Sequence, residues 1–309
     1  MEQTFEKLER TNVPDLDAIL GIPFKVLNDG FVRVIDYMGS DFSIVQAARV
    51  SYGKGTKKLR EDEGLIRYLV RHHHTSPLEM CEIKLHVRVP MDCWRQWIRH
   101  RTASVNEYST RYSLAIDAAQ ETKPDAWRMQ AVTNRQGSEG FFEFDKGKIF
   151  SAREYELHEL ARTVYNERIE AGLAREQARK DLPLSTYTEA YWKTNLHNLL
   201  HFLALRMEKH AQLEIRSYAT TIGNEIVSKW CPIVWEAFHD YQFGAMELSK
   251  QEIDIISRLQ AGDKDGAWAL AVQYGLLPPE GEKIKFNLER SEIEQKLELL
   301  GIRPPWLES

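Results

Sequence analysis

The sequence predicts an α+β fold in which a small, mostly antiparallel sheet is packed against long helices. Two segments, Phe31 to Met38 and Glu82 to Val89, alternate apolar and polar residues, which is typical of a strand that buries one face. Three longer segments, at 146–171, 186–211 and 217–241, space their apolar residues as a helix does. A few strands among several long helices favour the α+β class.

The composition is that of a globular protein able to bury a sizeable core. The chain has 309 residues, of which 43% are hydrophobic and 28% charged, and its formal net charge is −5. This negative balance disfavours nucleic acid as a partner. The three cysteines show no CxxC spacing, which predicts reduced thiols in a cytoplasmic protein. The N-terminus lacks the apolar core of a signal peptide, and no apolar run approaches ~18 residues, so we expect no membrane partner.

The first 90 residues carry short elements around the two strands. Residues 1–30 predict a polar lead-in with one short helix or turn. Asp41 is a candidate N-cap for a helix that continues to Val50, and Glu63 to His73 has helical spacing. Pro77 is expected to end that second helix, because proline lacks the amide hydrogen that a helix interior needs.

The stretch from Met91 to Tyr112 concentrates positive charge in an acidic chain. Its first half predicts a helix with an apolar stripe, and Arg95 and Arg99 lie four residues apart on a different side. The sequence Arg-His-Arg at 99–101 then leads into residues rich in Ser, Thr and Asn, which favour an ordered polar loop. Such a cluster suits an anionic ligand with a flat, hydrogen-bonding group, such as a nucleotide. Arginine clusters also occur as solvated or salt-bridged faces.

The second half of the chain predicts helices throughout. The 186–211 helix places polar side chains on neighbouring turns at Asn195, His197 and His201. Two histidines four residues apart could bind one metal ion, but the glutamate of HExxH is missing and no third ligand is evident, so we expect no metal site. Residues 113–150 carry no assignable chemistry. Shorter helices are expected at 174–180, which carries Arg179, and near 250–260, 263–274 and 291–300.

Several groups of residues follow one another in a recognisable order. The central one is RHR-x7-S, from Arg99 to Ser109, which extends to RHR-x2-S-x-N-E-x-S-x-R. An H-x-S-P-x-E segment precedes it at His74 to Glu79, and NLHNLLHFLALR follows it at Asn195 to Arg206. Together they resemble the motifs of the flavin-dependent thymidylate synthase family. The resemblance extends from Phe31 to Tyr241, so we expect a domain of that family at 1–245 and a helical extension of unassigned role at 246–309.

The resemblance implies the flavin-dependent thymidylate synthase fold and the reductive methylation of dUMP to dTMP. In that family methylenetetrahydrofolate supplies the carbon, and reduced FAD, regenerated by NADPH, supplies the hydride. The relatives are homotetramers whose sites combine residues from several subunits. The resemblance therefore implies a methyltransferase whose partners are dUMP, the folate, NADPH and further copies of the chain.

The family roles carry over to the matching positions of this sequence. Arg206 is expected to act in catalysis by stabilising negative charge on the uracil ring, and Ser109 is the second catalytic candidate. His74 is expected near the folate entrance. The residues expected to bind dUMP are Gln96, Trp97, Ile98, Arg99, Glu107, Tyr108, Ser109, Thr110, Arg111, Arg179 and Arg206. Those expected to bind FAD are Ser51, Ser76, Arg99, His100, Arg101, Glu107, Asn195, Leu196, His197 and His201.

The sequence leaves several alternatives open. Ser109 could be a nucleophile, but no adjacent base is identifiable, so positioning and polarising dUMP is the favoured role. Thr110 stands where many relatives have glycine, and its side chain could narrow the approach of a phosphate. The chain could also be a nucleotide- or flavin-binding module without turnover, or, against its acidic balance, an RNA-binding domain.

Overall fold

The computed structural model describes residues 10–50, 59–131, 137–279 and 281–307. The chain divides into two compact units, Met1–Phe243 and Gly244–Ser309, each with its own hydrophobic core. Among the described residues, no helix is both long enough and apolar enough to span a lipid bilayer. Cys81, Cys93 and Cys231 are buried free thiols.

A five-stranded antiparallel sheet organises the first unit, which confirms the predicted fold class. Its strands are β1 (Phe24–Val26), β2 (Gly30–Met38), β3 (Glu82–Pro90), β4 (Ser104–Glu107) and β7 (Tyr187–Asn195). Two further strands, β5 (Arg128–Gln130) and β6 (Ser138–Phe141), pair with each other separately. In space the order of the large sheet is β1-β2-β3-β7-β4, so β7 lies between β3 and β4.

The two strands predicted from alternation are confirmed as β2 and β3. In β3 the side chains of Ile83, Leu85, Val87 and Val89 are completely buried, and the polar residues between them are half-buried on the opposite face. Each such aliphatic side chain contributes about 1.5–3 kcal/mol when it leaves water. The alternation read from the sequence is therefore the alternation between core and surface.

Helices cover the buried face of the sheet, and aromatic rings fill the space between them. The Trp97 ring lies 5.4 Å from that of Trp192 and 4.8 Å from that of Phe202, measured between centroids. The helices of this unit are α1 (Pro14–Asp17), α2 (Asp41–Val50), α3 (Leu59–Arg71), α4 (Ser76–Glu79), α5 (Met91–Trp97), α6 (Phe144–Glu170), α7 (Arg175–Ala178), α8 (Leu196–Arg206), α9 (Leu213–Thr221), α10 (Ser228–Trp230) and α11 (Pro232–Phe238). Two π-helical turns, Ile222–Val227 and His239–Phe243, follow α9 and α11.

The prediction of one helix over 186–211 is wrong in its first half, where the chain forms β7. This segment is rich in threonine and aromatic residues, which favour strands, and its backbone pairs with β3 on one side and β4 on the other. Asn195 ends the strand and caps α8, because its side-chain Oδ1 accepts the backbone N–H of Asn198 at 2.9 Å. The helical spacing of the leucines is real, but it begins only at Leu196.

Three other boundaries differ from expectation. Part of the polar segment after Arg101 forms the edge strand β4 instead of a loop, because β7 offers it backbone hydrogen-bonding partners. Pro77 lies in the first turn of α4 and does not end α3, which stops before it; the first turn tolerates proline. The helix expected over 217–241 is interrupted at Cys231, since Pro232 cannot continue it and starts α11.

Asp41 caps a different helix from the one expected. It lies at the start of α2, but its carboxylate accepts the backbone N–H groups of Ile233 at 2.9 Å and Val234 at 3.2 Å, at the start of α11. Burial raises the pKa of Asp41 to about 6, although the two N–H groups act in the opposite direction. Asp41 therefore ties two segments of the first unit that are distant in sequence.

The described residues of the second unit form three α-helices around their own apolar core, followed by a 3-10 turn at Pro305–Leu307. They are α12 (Lys250–Gln260), α13 (Lys264–Gln273) and α14 (Leu288–Leu299), which confirms the helices expected in this region. A capping box between Ser249 and Glu252 starts α12. The buried side chains of this core are Ile255, Ile256, Ala267, Ala271, Leu276, Leu277, Ile293, Leu297 and Trp306.

Replacing Asp41 by asparagine should change how stability depends on pH. In the folded state the pKa of Asp41 is raised from 3.8 to about 6, so its ionisation lowers the free energy of unfolding as the pH rises through this window. The D41N variant lacks this ionisation. Relative to the wild type, it should gain up to about 3 kcal/mol between pH 4 and pH 7.

Urea denaturation at the two pH values measures this gain. Asp15→Asn, at an exposed acid of α1, is the matched control and should show no comparable gain. A D41N variant whose stability relative to the wild type is the same at both pH values would contradict a costly buried carboxylate at this position.

Candidate active site

An open pocket lies where the Arg-His-Arg segment after α5 meets the end of β7 and the start of α8. Its volume is about 470 Å³. The pairing of β4 with β7 brings the Arg-His-Arg segment to α8, although the two are about a hundred residues apart in sequence. The lining residues are Arg99, His100, Arg101, Thr102, Trp192, Thr194, His197, Asn198, His201, Leu205 and Arg206. The pocket therefore collects the Arg-His-Arg motif and three of the polar residues predicted on α8.

Arg206 is held in a fixed direction at the end of α8. Its Nε donates to Nε2 of His100 at 3.1 Å, and its Nη2 donates to the backbone oxygen of Gln96 at 3.3 Å. A guanidinium has only donors, so the His100 ring must accept at Nε2 and is neutral. Burial, and then the charges of Arg206 and His201, lower the pKa of His100 to about 4, which keeps the ring neutral at physiological pH.

The electrostatic environment of the pocket is cationic and partly dry. The Arg206 side chain is half-buried, and this burial lowers its pKa. The side chains of Arg99 and Arg101 form no ion pair or hydrogen bond with any residue that the structure describes. The indole N–H of Trp192 is buried and has no hydrogen-bond partner among the described residues. The guanidinium groups of Arg99 and Arg101 are therefore left to donate to an anionic or carbonyl-bearing ligand.

Predicted FAD residues beyond this pocket have varied surroundings. Asn195 caps α8 through its side chain, and Leu196 is fully buried in the core, so its side chain contacts no ligand. Ser76 and His74 are exposed around the start of α4, which packs against α8, and the His74 ring lies 5.7 Å from that of Tyr68. Ser51 lies outside the described residues.

A second cluster of predicted residues lies beyond the other end of β4. Arg179 donates to the hydroxyl oxygen of Thr110. The Ser109 Oγ accepts the backbone N–H of Arg111 at 3.4 Å, and the Arg111 Nε lies 3.4 Å from a carboxylate oxygen of Glu176. No basic side chain hydrogen-bonds Ser109 Oγ among the residues that the structure describes, so the geometry gives no support to a nucleophilic serine.

Glu107 and Tyr108 connect this second cluster to the sheet. The Glu107 carboxylate accepts the indole N–H of Trp94 at 3.0 Å and the hydroxyl of Thr188 at 2.9 Å. Tyr108 donates its backbone N–H to Glu189 at 2.7 Å and its hydroxyl to Leu114 at 2.9 Å, in each case to the backbone oxygen. Both side chains thus already have structural partners within the chain.

The two clusters are separate within one chain. Arg99 and Arg206 line the pocket before β4, whereas Ser109, Thr110 and Arg179 lie after it. The strand between them has four residues, which corresponds to roughly 13 Å. The pocket that contains Arg99 and Arg206 therefore does not include Ser109, Thr110 or Arg179.

Three further predicted dUMP residues, Gln96, Trp97 and Ile98, do not line this pocket. Trp97 is fully buried among aromatic rings of the core, so only its backbone is available to a ligand. Ile98 is exposed at the end of α5, and Gln96 hydrogen-bonds to Gln212.

Among the described residues no group of three His, Cys, Asp or Glu side chains could hold a metal ion, and His197 and His201 lack a third ligand there.

Sequence reasoning missed several residues that line the pocket or contact its neighbours, and the reason differs between them. Trp192 and Thr194 were hidden by the mistaken helix, since on a helix they would not share a face with each other. As residues of a strand, they lie two apart and point the same way. Gln212 follows α8 in an irregular segment, and only its contact with Gln96 connects it with the site.

Comparison with known proteins agrees with the motifs. The family model of the thymidylate synthase complementing proteins matches residues 33–233. A flavin-dependent thymidylate synthase of Wolbachia pipientis is 51% identical over 258 residues, which cover 84% of this chain and 90% of that protein. The corresponding enzyme of Rickettsia conorii is 49% identical over 273 residues, which cover 83% of this chain and 91% of that protein.

Solved structures agree at the level of the fold. The UMP/dUMP methylase PolB of Streptomyces cacaoi, bound with 5-Br dUMP, superposes with a TM-score of 0.64 at 31% identity, and the match covers 71% of this chain and 99% of PolB. The same methylase bound with 5-Br UMP gives the same TM-score and identity. The motifs, the family model and relatives that are about half identical over most of the chain lead to one conclusion: this chain belongs to the flavin-dependent thymidylate synthases.

Proposed function

We propose that the chain converts dUMP to dTMP by reductive methylation, with methylenetetrahydrofolate as the carbon donor and NADPH as the source of electrons. The observation that carries this proposal is the contact between Arg206 and His100, because it joins two motifs of the family in one partly dry pocket. A fixed guanidinium in such a pocket suits a reaction in which negative charge develops on a pyrimidine ring.

The residues of the pocket fit FAD as the bound cofactor. Arg99 and Arg101 offer guanidinium groups that have no partner among the described residues, as a pyrophosphate requires. His197, Asn198 and His201 add polar groups beside them. When bound, the flavin would supply the hydride that the protein itself cannot supply.

Arg206 would act by electrostatic stabilisation and not as a base. Two of its N–H groups are used within the chain, by His100 and by the backbone of Gln96, which leaves the others for the pyrimidine. Because the guanidinium stays protonated at neutral pH, it can stabilise charge on the ring but cannot remove a proton. The neutral His100 holds the guanidinium in orientation without adding a second positive charge.

The second cluster would bind the dUMP phosphate. Arg111 and Arg179 offer charged donors there, and Ser109 and Thr110 offer hydroxyl groups. Since the lining of the pocket does not include this cluster, we infer that a complete site forms between subunits of a homotetramer. The exposed apolar side chains of Phe144, Ile149, Leu157 and Leu160 along α6 support a surface that another copy covers.

A turnover assay tests the proposed function. The purified protein should be yellow, lose its colour with NADPH, and form dTMP only when dUMP and methylenetetrahydrofolate are both present. A protein that binds flavin and dUMP but forms no dTMP would instead be a binding module without turnover. Absence of both flavin and dUMP binding would contradict the whole assignment.

Replacing Arg206 by alanine should reduce kcat by roughly 10²–10³-fold, because the fixed positive charge is lost from the transition state. Flavin should remain bound, since the other donors of the pocket are unchanged. Steady-state kinetics and the flavin absorbance of the purified variant measure the two effects. Arg95→Ala, at an exposed arginine of α5, is the matched control and should retain kcat. Normal turnover by the R206A variant would contradict the role of Arg206.

Mixing two inactive variants should restore activity if the site is shared between subunits. Arg179→Ala removes a residue of the second cluster, and Arg206→Ala removes one from the pocket. In randomly mixed tetramers about one quarter of the sites would have both arginines, one from each kind of subunit. The measurement is dTMP formation by co-expressed subunits compared with each variant alone. No recovery in verified mixed tetramers would mean that one chain supplies both arginines.

A further inference from the structure

Three side chains, those of Asp92, Gln212 and Gln96, form a hydrogen-bonded relay next to Arg206. Asp92 and Gln96 lie one turn apart on α5, and Gln212 lies at the residue before α9. The side-chain Nε2 of Gln212 donates to Oδ2 of Asp92 at 3.1 Å, and the Nε2 of Gln96 donates to Oε1 of Gln212. Gln96 also accepts Nη2 of Arg206 at its backbone oxygen. The relay therefore ends beside the residue that the proposed function assigns to the pyrimidine.

The chemistry of Asp92 gives the relay its direction. A carboxylate only accepts hydrogen bonds, so the amide of Gln212 must turn its NH₂ group towards Asp92. Its oxygen is then turned towards Gln96, which must respond with its own NH₂ group. The other carboxylate oxygen of Asp92 is occupied by the backbone N–H of Cys93 at 2.7 Å, which holds the carboxylate in place.

The same direction leaves an acceptor at the end of the relay. With its NH₂ group donating to Gln212, Gln96 has its Oε1 left over, and this oxygen has no partner among the residues that the structure describes. A free glutamine side chain can turn its amide over at little cost and offer either a donor or an acceptor. With the relay in place, Gln96 offers only an acceptor.

We propose that Asp92 and Gln212 are positioning residues that fix the Gln96 side-chain amide, so that its Oε1 accepts a hydrogen bond from the bound nucleotide. This proposal rests on the proposed function, in which Gln96 contacts dUMP. Two groups of dUMP are suitable donors, the N3–H of the uracil ring and the 3′-hydroxyl of the sugar. In both cases an analogue without the donor leaves the Oε1 of the half-buried Gln96 without this partner, so such an analogue should bind more weakly than dUMP.

The test compares binding of dUMP with binding of two analogues to the flavin-loaded, full-length protein. One analogue carries a methyl group at N3, and the other lacks the 3′-hydroxyl. Isothermal titration gives the Kd of each ligand for the wild type, for Gln212→Leu and for Asp92→Asn. Gln273→Leu, at an exposed glutamine of the second unit, is the matched control. Thermal unfolding of each variant reports any general loss of structure.

The wild type should bind dUMP at least about tenfold more tightly than one of the analogues, and that analogue identifies the donor. In the Q212L variant this ratio should fall towards one, because Gln96 can then turn over. The ratio for the D92N variant should lie between those of the wild type and Q212L, since the amide of an asparagine can hydrogen-bond to Gln212 either as a donor or as an acceptor. The Q273L variant should retain the wild-type ratio. A relay that only supports the fold would lower the unfolding temperature and leave the ratio unchanged, and that result would overturn the proposal.

A double-mutant cycle with Gln96→Ala adds an independent criterion. If Gln212 acts through Gln96, then Gln212→Leu should weaken dUMP binding in the wild type by about tenfold and cause no further loss in the Q96A background. Equal losses in both backgrounds would refute action through Gln96. Failure of the wild type to bind dUMP would instead remove the proposed function, and this proposal with it.

Discussion

The pairing of β7 with β3 and β4 is the constraint on which the rest of the first unit depends. Backbone hydrogen bonds to both neighbours fix β7 in register, and that register determines where α8 starts. Because Arg206 is the last residue of α8, its position follows from the end of the strand. The same pairing places β4, and with it the preceding Arg-His-Arg segment, beside the start of α8. A site built from two distant motifs thus depends on one strand between two others.

Aromatic packing turns this geometry into an electrostatic environment. Trp97, Trp192 and Phe202 fill the space between the sheet and α8, and they exclude water from one side of the pocket. The exclusion has two consequences that act together. It keeps His100 neutral, so that the ring can accept from Arg206, and it strengthens the field of the guanidinium on any charge that develops nearby. An arginine beside a histidine on an open, solvated surface would neither keep the histidine neutral nor act as strongly on a nearby charge.

The sequence was informative where a local pattern decides the structure. The strict alternation of β3 and the leucine spacing of α8 are both visible in the chain, as are the motifs that identify the family. The helix predicted for the first half of the 186–211 segment was wrong because strand formation there depends on partners that are distant in sequence. The same long-range pairing made a strand of Ser104–Glu107, whose residues alone favour a turn. The Asp41 cap was also assigned to the wrong helix, since its true partners are about 190 residues away.

Thr110 shows how a departure from the family pattern can be absorbed. The family resemblance leads us to expect glycine here, and a side chain could obstruct the approach of a phosphate. In this chain the Thr110 hydroxyl accepts a hydrogen bond from Arg179, so the side chain gives the guanidinium a partner before any ligand arrives. Arg179 has further N–H groups, and a hydroxyl can donate while it accepts, so the Thr110 hydroxyl replaces the N–H that it occupies and the pair offers as many donors as the arginine alone. The extra bulk of threonine therefore removes no donor and is accompanied by a more restricted arginine, which favours an oxyanion at this position.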